Sequence, residues 1–352
     1  MPLTAAFALP GALTTMTGGT FYDRRLIESL RDLGHEIRLV TLPDGFPDPG
    51  EAAMQAAVAQ LLALPADQPV IVDGLAFGAL PTVDVARIAA PIIALVHHPL
   101  ALETGLDPAL AGALRGRERD NLRHARHILV PSPHTKAVLV AEYGVDAGKV
   151  TVLVPGIDRV PPVAVPRTDP PLILSVGLLH PRKGHDVLIA ALGLLADLEW
   201  QAVIVGNPWD AAHAAELARR VATSAVAGRI RLAGAVGMAE RDRLYAEASL
   251  FALATRYEGY GIVFNEALVH GLPIVSCRTG AVPDTVPQDA GLLVAVDDAA
   301  GFAAALRGLL QDHGLRKRMA AAAAQAGAAL PGWDAVAARA AAILAAHQGA
   351  AA

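Results

Sequence analysis

Hydrophobic and polar positions along the chain follow two alternating patterns. Short apolar runs rich in valine, isoleucine and leucine recur from one end to the other. Between them lie longer stretches whose apolar residues are spaced as on one face of a helix, including 20–33, 186–198, 240–248, 315–329 and 333–347. This alternation of strand and helix patterns predicts an α/β protein built on parallel sheets.

Twelve of the apolar runs are predicted to be strands, in two series. The first series is 4–9, 36–41, 69–72, 92–96, 127–130 and 149–154. The second series is 172–176, 201–205, 230–233, 250–253, 273–276 and 292–294. The proline-rich segment 157–171 between them predicts a semi-rigid connector, because proline blocks helix continuation and lacks a backbone donor. We therefore expect two domains, 1–160 and 161–330, followed by a last helix in 331–352.

Composition narrows the class of protein. The chain has 352 residues, 53% of them hydrophobic and 18% charged, which suits two folded domains and excludes global disorder. The net charge of −5 means that the chain has no surplus of positive charge to neutralise nucleic-acid phosphates. One cysteine, Cys277, excludes a disulfide framework and favours a reducing, cytoplasmic setting. No targeting or membrane-spanning segment is visible in the sequence.

The strongest candidate site is the segment 255–271, which follows the strand predicted at 250–253. Glu258 lies in a loop with Gly259 and Gly261, and Glu266 falls one turn into the helix expected to begin near Ile262. Glycines allow close approach of a ligand, and a helix start presents free N–H groups to an anion. A glutamate pair alone would favour an ordinary polar loop. The glycines and the strand–loop–helix setting instead favour a nucleotide-sugar site.

Three further strand ends carry polar or flexible residues. Arg182 and Lys183, one of only four lysines, form a short turn that could neutralise a diphosphate, although a basic surface turn is the ordinary alternative. Gly18 and Gly19 precede the first helix, and as a pair they are weak evidence of function. His97, with its neighbour His98, closes the fourth strand and could donate to a substrate oxygen. No metal site is expected, since no further ligands stand at metal-binding spacing in the sequence.

Four motifs in order resemble family 4 (group 1) retaining glycosyltransferases, which have the GT-B fold. Glu258 and Glu266 look like the family's Glu-x7-Glu motif, and 173–186 is similar to its strand–glycine–Lys–Gly segment. The segments 271–284 and 155–158 resemble two further family motifs. The chain departs from the pattern at Leu178, where many relatives carry arginine.

The resemblance implies an α/β GT-B protein with two Rossmann-like domains, whose parallel sheets face a central cleft. The first domain would bind the acceptor and the second the nucleotide sugar, with the last helix crossing back to the first. The catalytic residues would be Glu258, Lys183, Arg182 and His97. The donor would be bound by the set Gly18, Gly19, Glu266, Gly259, Tyr260, Gly261, Ile262 and Val263.

The implied reaction is metal-independent transfer of a hexosyl group from a UDP- or GDP-sugar to a hydroxyl acceptor. Two alternatives stay open: a GT-B-fold nucleotide-sugar epimerase, and a non-catalytic nucleotide-sugar-binding protein, which Leu178 slightly favours. The basic segment 115–127 could contact a membrane, but acidic residues interrupt it, and a solvated helix face is favoured. Oligomeric state is not predicted.

Overall fold

The computed structural model describes residues 2–14, 17–103, 105–158 and 166–349, and it divides into two compact units. The first unit is Met1–Asp158 together with Pro331–Ala352, and the second is Arg159–Leu330. Residues 159–165 of the predicted connector lie outside the described residues.

The first unit is built on a six-stranded sheet in which every paired neighbour is parallel. The strand order is β2-β1-β3-β4-β5-β6. Its strands are β1 (Thr4–Pro10), β2 (Glu36–Leu42), β3 (Val70–Asp73), β4 (Ile92–Leu95), β5 (His127–Val130) and β6 (Val150–Val152). Its helices are α1 (Gly18–Asp32), α2 (Glu51–Leu62), α3 (Gly74–Phe77), α4 (Thr82–Val85), α5 (Pro108–Leu122) and α6 (Pro133–Tyr143).

The second unit repeats this plan with a second parallel sheet, ordered β12-β11-β10-β7-β8-β9. Its strands are β7 (Leu172–Val176), β8 (Gln201–Val205), β9 (Ile230–Gly234), β10 (Leu250–Leu253), β11 (Ile274–Cys277) and β12 (Gly291–Val294). Its helices are α7 (His185–Gly193), α8 (Ala211–Ala222), α9 (Met238–Glu247), α10 (Ile262–Val269), α11 (Val282–Thr285), α12 (Ala299–Gln311) and α13 (His313–Ala329).

The last helix, α14 (Trp333–His347), belongs to the first unit. It packs on α1, where Trp333 meets the rings of Phe21 and Tyr22 edge-on at centroid distances of 6.2 and 5.4 Å. The Tyr22 hydroxyl donates to the carbonyl of Leu153 at 2.8 Å, so α1 is also tied to the segment after β6. These contacts fix the start of α1 relative to the sheet.

The sheets confirm the predicted parallel α/β class, and all twelve predicted strands are present with ends that shift by no more than two residues. Several helix boundaries were wrong, and the largest error is in the helix predicted over 186–198, which ends at Gly193. The helix predicted from 20 begins at Gly18, because the Thr17 hydroxyl caps it by accepting from the Thr20 N–H at 3.1 Å. The basic helix expected over 115–127 ends at Leu122, and the chain re-enters the sheet at His127.

Four of the five arginines in the basic segment contact neighbouring groups. Arg115 pairs with Glu142 at 2.9 Å, and Arg117 donates to the carbonyl of Ala79 at 2.9 Å. Asp120 pairs with the arginine directly before it and with the arginine three residues after it. In the described part of the chain, no helix is both long and apolar enough to cross a membrane.

Candidate functional site

The site in the second unit is centred on the buried carboxylate of Glu258. The Lys183 ammonium donates to Glu258 Oε1 at 2.6 Å, and the Thr255 hydroxyl donates to the same oxygen at 3.0 Å. The Arg182 guanidinium lies 3.7 Å from Glu258 Oε2. The structure therefore brings Glu258 to Lys183, which stands 75 positions earlier in the sequence, because β7 and β10 are neighbours and their following loops meet.

Electrostatics keep Glu258 ionised. Burial alone would raise the pKa of this carboxyl group, but the charges of Lys183 and Arg182 and the hydrogen bonds from Lys183 and Thr255 hold the pKa below its ordinary value. An ionised carboxylate can only accept hydrogen bonds. Glu258 is thus suited to hold hydroxyl groups, while one net positive charge remains on the Arg182–Lys183 turn.

Two glycines allow these loops to approach each other so closely. Gly184 has φ +63°, and a Cβ there would lie 1.9 Å from the carbonyl oxygen of Ala254. Gly280 has φ +49°, and a Cβ there would lie 2.3 Å from the carbonyl oxygen of Glu258. A side chain at Gly184 would push the lysine turn away from the end of β10, and one at Gly280 would displace the backbone of Glu258.

A second ion-pair network, centred on Arg256, supports the Arg182–Lys183 turn. Arg256 contacts both carboxylate oxygens of Asp186, at 3.1 and 2.9 Å, and pairs with Asp297 at 2.8 Å. The backbone N–H of Arg256 donates to the carbonyl of Arg182 at 2.7 Å. Arg182 itself donates to the carbonyl of Tyr257 at 3.0 Å, so its guanidinium is held by the loop that carries Glu258.

Glu266 lies on α10 and has partners that the sequence analysis missed. The Tyr245 hydroxyl donates to Glu266 Oε2 at 2.7 Å, and Arg241 lies 3.4 Å from Oε1. Burial, followed by the nearby Glu266 charge, raises the pKa of Tyr245 well above its ordinary value, so the phenol stays a donor. Tyr245 and Arg241 both come from α9, one strand earlier in the chain, and no local pattern points to them.

The glycine loop and the start of α10 carry five of the residues predicted to bind the donor. Gly259 and Gly261 are buried, and Ile262 and Val263 open α10 in a half-buried position. Tyr260 was predicted to contact the donor through its backbone, and its buried hydroxyl donates to the side chain of Asn265 at 3.0 Å. Only the backbone of Tyr260 is therefore offered to a ligand.

Leu178 contributes backbone to the turn after β7. The imidazole of His185 lies 3.2 Å from its carbonyl oxygen and 3.3 Å from that of Gly177. Burial lowers the pKa of His185 to about 4, so the ring is neutral and can donate to these carbonyls. His185 holds the turn that contains Leu178, and sequence reasoning did not single it out.

In the first unit, His97 is joined by two carboxylates. Its Nε2 lies 2.9 Å from Asp23 Oδ1 and 3.5 Å from Asp73 Oδ2, and Tyr22 packs against the ring edge-on at 5.2 Å. A Cβ added to Gly19 would lie 3.2 Å from His97 Cδ2. The structure therefore brings Gly19, at the start of α1, and His97 together, while Gly18 is exposed.

These three groups are also the kind that hold metal ions. Asp23, Asp73 and His97 each offer a ligand atom, and the three atoms lie within 4.8 Å of one another. The sequence analysis expected no metal site because it considered only ligands close to His97 in the chain. Asp23 is 74 positions away from His97. In the structure the His97 and Asp23 ligand atoms are already hydrogen-bonded to each other.

Comparison with known proteins decides the family. The family model described as Glycosyltransferase Family 4 matches residues 16–160, and the one described as Glycosyl transferases group 1 matches residues 170–312. The chain belongs to this glycosyltransferase family. Each half of the chain therefore matches one of the two family models.

Individual relatives agree with the family and the fold. A D-inositol 3-phosphate glycosyltransferase of Kineococcus radiotolerans is 31% identical over 265 residues, 67% of this chain and 60% of that protein. The chain thus matches less than two thirds of that relative's length. Sucrose-phosphate synthase from Thermosynechococcus elongatus superposes with a TM-score of 0.78 at 19% identity, covering 96% of this chain and 98% of that one. HepE of Anabaena, solved with UDP and glucose, superposes with a TM-score of 0.77 at 17% identity, covering 97% of this chain and 99% of that one. These similarities confirm the GT-B fold.

Proposed function

We propose that this protein is a retaining glycosyltransferase that moves a hexosyl group from a UDP- or GDP-sugar to a hydroxyl acceptor without a metal ion. The observation that carries the proposal is the buried cluster of Glu258, Lys183 and Arg182 at the strand ends of the second unit. It places a fixed acceptor for sugar hydroxyls beside two cations suited to a diphosphate.

Each residue of the cluster has a role in this proposal. Glu258 accepts hydrogen bonds from the hydroxyls of the donor sugar. Lys183 and Arg182 stabilise negative charge on the leaving diphosphate, with help from the free N–H groups of Ile262 and Val263 at the start of α10. Glu266, oriented by Tyr245, accepts from the ribose hydroxyls. In the first unit, His97 and Gly19 lie together and are proposed to bind substrate.

The proposed transfer breaks the bond between the anomeric carbon and the phosphate oxygen, and forms a bond to the acceptor oxygen on the same face. The proton of the acceptor hydroxyl goes to the leaving phosphate. The side-chain cations and helix N–H groups balance the charge that a metal ion would otherwise neutralise. The single buried cysteine, Cys277, is in keeping with a cytoplasmic enzyme.

The test is nucleotide release from UDP-, GDP- and ADP-sugars in the presence of EDTA, with and without acceptor extract. Acceptor-stimulated release, with the anomeric configuration of the donor kept in the product, is the expected result. Interconversion of the donor sugar without an acceptor would support the epimerase instead. Saturable donor binding without release would support a non-catalytic binding protein, and a strict need for added metal would contradict the metal-free mechanism.

A further inference from the structure

Two large apolar side chains lie exposed on neighbouring loops of the second unit. Trp209, in the loop after β8, is 59% exposed, and Met238, which opens α9 after β9, is 74% exposed. β8 and β9 are parallel neighbours, and the Gly206 N–H donates to the Gly234 carbonyl at 2.9 Å, so the ends of the two strands are tied together. Both side chains therefore follow the carboxyl ends of adjacent strands, the edge at which ligands bind such sheets.

Trp209 is joined to the turn that is proposed to bind the diphosphate. Its indole packs edge-on against the His180 ring at a centroid distance of 5.2 Å, and its backbone N–H donates to the Leu179 carbonyl at 3.3 Å. His180 Nδ1 in turn accepts from the backbone N–H of Arg182 at 3.0 Å. The exposed indole is thus connected through one residue to the Arg182–Lys183 turn.

Met238 approaches the same region from the residue proposed to bind the ribose. Met238 and Arg241 are three residues apart on α9, so they lie on the same face of the helix, about one turn apart. Arg241 lies 3.4 Å from Glu266 Oε1. The thioether is therefore one helical turn from the residue that contacts the ribose acceptor.

The order of the strands supports the same arrangement. The sheet runs β10-β7-β8-β9 in this region, with Glu258 after β10, Lys183 after β7 and Trp209 after β8. A nucleotide sugar that lies along this edge has its sugar at Glu258 and its diphosphate at Lys183. Its nucleoside then extends toward β8 and β9, on the side of β7 away from the sugar.

We propose that Trp209 and Met238 bind the nucleobase of the donor, with the indole as the surface on which the base stacks. This inference rests on the proposed function and adds a base subsite to the same site. Aromatic side chains stack on any nucleobase because every base has a flat π face, and a thioether packs well against an aromatic ring. A flat apolar surface next to two cations and a ribose acceptor matches the three parts of a nucleoside diphosphate.

The test is titration of the intact chain with UDP, GDP and pyrophosphate in EDTA, followed by calorimetry and by tryptophan fluorescence corrected for nucleotide absorbance. Trp209 is the exposed one of the three tryptophans, since Trp200 and Trp333 are 1% and 3% exposed. A stacked base quenches indole emission. We expect at least one nucleotide to quench the emission, and pyrophosphate, which has no base, to leave it unchanged.

The variants separate stacking on the base from an effect on the diphosphate turn. Trp209→Ala should weaken binding of the quenching nucleotide about tenfold and leave the affinity for pyrophosphate within about twofold. Trp209→Phe should keep the nucleotide affinity within about threefold, because the phenyl ring still offers a stacking face, while the quenching disappears. Met238→Ala is an independent second variant, and it should lower the nucleotide affinity in the same direction.

Leu194→Ala is the matched control, because Leu194 is 55% exposed and follows α7 at the end far from the Arg182–Lys183 turn. It should keep both the affinity and the quenching. Unchanged nucleotide affinity in Trp209→Ala, an equal loss of pyrophosphate affinity, or quenching by pyrophosphate would overturn this inference and leave the proposed function standing. Failure of both UDP and GDP to bind to the original protein would contradict the proposed function as well.

Discussion

Replacing Lys183 by methionine should destabilise the second unit, because it leaves the buried Glu258 carboxylate without its closest cation. The two charged atoms lie 2.6 Å apart, and the Lys183 and Glu258 side chains are only 13% and 5% exposed. Methionine keeps most of the length and volume of lysine, so the change is mainly one of charge.

The magnitude follows from the geometry. At an effective dielectric constant of about 20, unit charges at the 2.6 Å separation attract by about 6 kcal/mol. Part of this is offset because lysine no longer has to be desolvated, and Arg182 remains 3.7 Å from Glu258. Breaking a buried pair by removing one partner costs about 3–5 kcal/mol. We therefore expect Lys183→Met to lower the free energy of unfolding of the second unit by about 3 kcal/mol.

The loss of stability caused by Lys183→Met should depend on pH. In the folded protein the pKa of Glu258 lies below its ordinary value of 4.5, so its contribution is present above that value and is lost as the pH falls through the folded pKa. Without Lys183, burial pushes the pKa of Glu258 upward. The difference between the variant and the original protein should therefore be largest near pH 7 and should narrow toward pH 4.

Amide hydrogen exchange of the β7 and β10 core measures the unfolding free energy of the second unit by itself, which a two-unit melting curve does not. The full cycle uses Lys183→Met, Glu258→Gln and the double variant, with the exposed Lys317→Met as a matched control. The double variant should recover about 2 kcal/mol relative to the sum of the single changes. Additive effects, or a Lys183→Met variant as stable as the Lys317→Met control, would refute the reasoning.

Three further changes test other parts of the structure. Gly280→Ala should cost at least about 2 kcal/mol and abolish donor binding, whereas Gly228→Ala, with open space around it, should be neutral when both are compared by chemical denaturation. Tyr245→Phe should weaken nucleotide binding about tenfold, since Glu266 loses a 2.7 Å hydrogen bond; unchanged affinity in calorimetry would contradict its positioning role. Burial raises the pKa of Glu118 to about 8, so the first unit should lose stability between pH 5 and 8, and Glu118→Gln should flatten that slope in exchange experiments.

The sequence was sufficient for the strands because buried strands of a parallel sheet are continuous apolar runs with clear ends. The runs 127–130, 172–176, 201–205 and 250–253 match β5, β7, β8 and β10 residue for residue. Helix ends were less accurate, because caps such as the Thr17 hydroxyl act through side-chain hydrogen bonds that apolar periodicity does not show.

The motif residues of the site were found from the sequence, but their partners were not. Glu258 and Lys183 stand in recognisable glycine-containing loops. By contrast, Tyr245 and Asp23 lie on ordinary helices and reach the site only through the tertiary fold. The hydrogen bond from Tyr260 to Asn265 could not be predicted for the same reason, since it depends on how the loop folds back.

The measurement that tests the central claim most directly is the binding of UDP-glucose and GDP-mannose to the intact chain in EDTA. It compares the original protein, Lys183→Met, and the Lys317→Met control in which an exposed lysine of the same unit is removed. At least one donor should bind saturably to the original protein and the control. Binding to Lys183→Met should be at least about tenfold weaker, since a charged contact to the diphosphate is lost. Equal affinity in all three proteins, or no binding of either donor, would contradict the assignment of this cluster to a nucleotide diphosphate sugar.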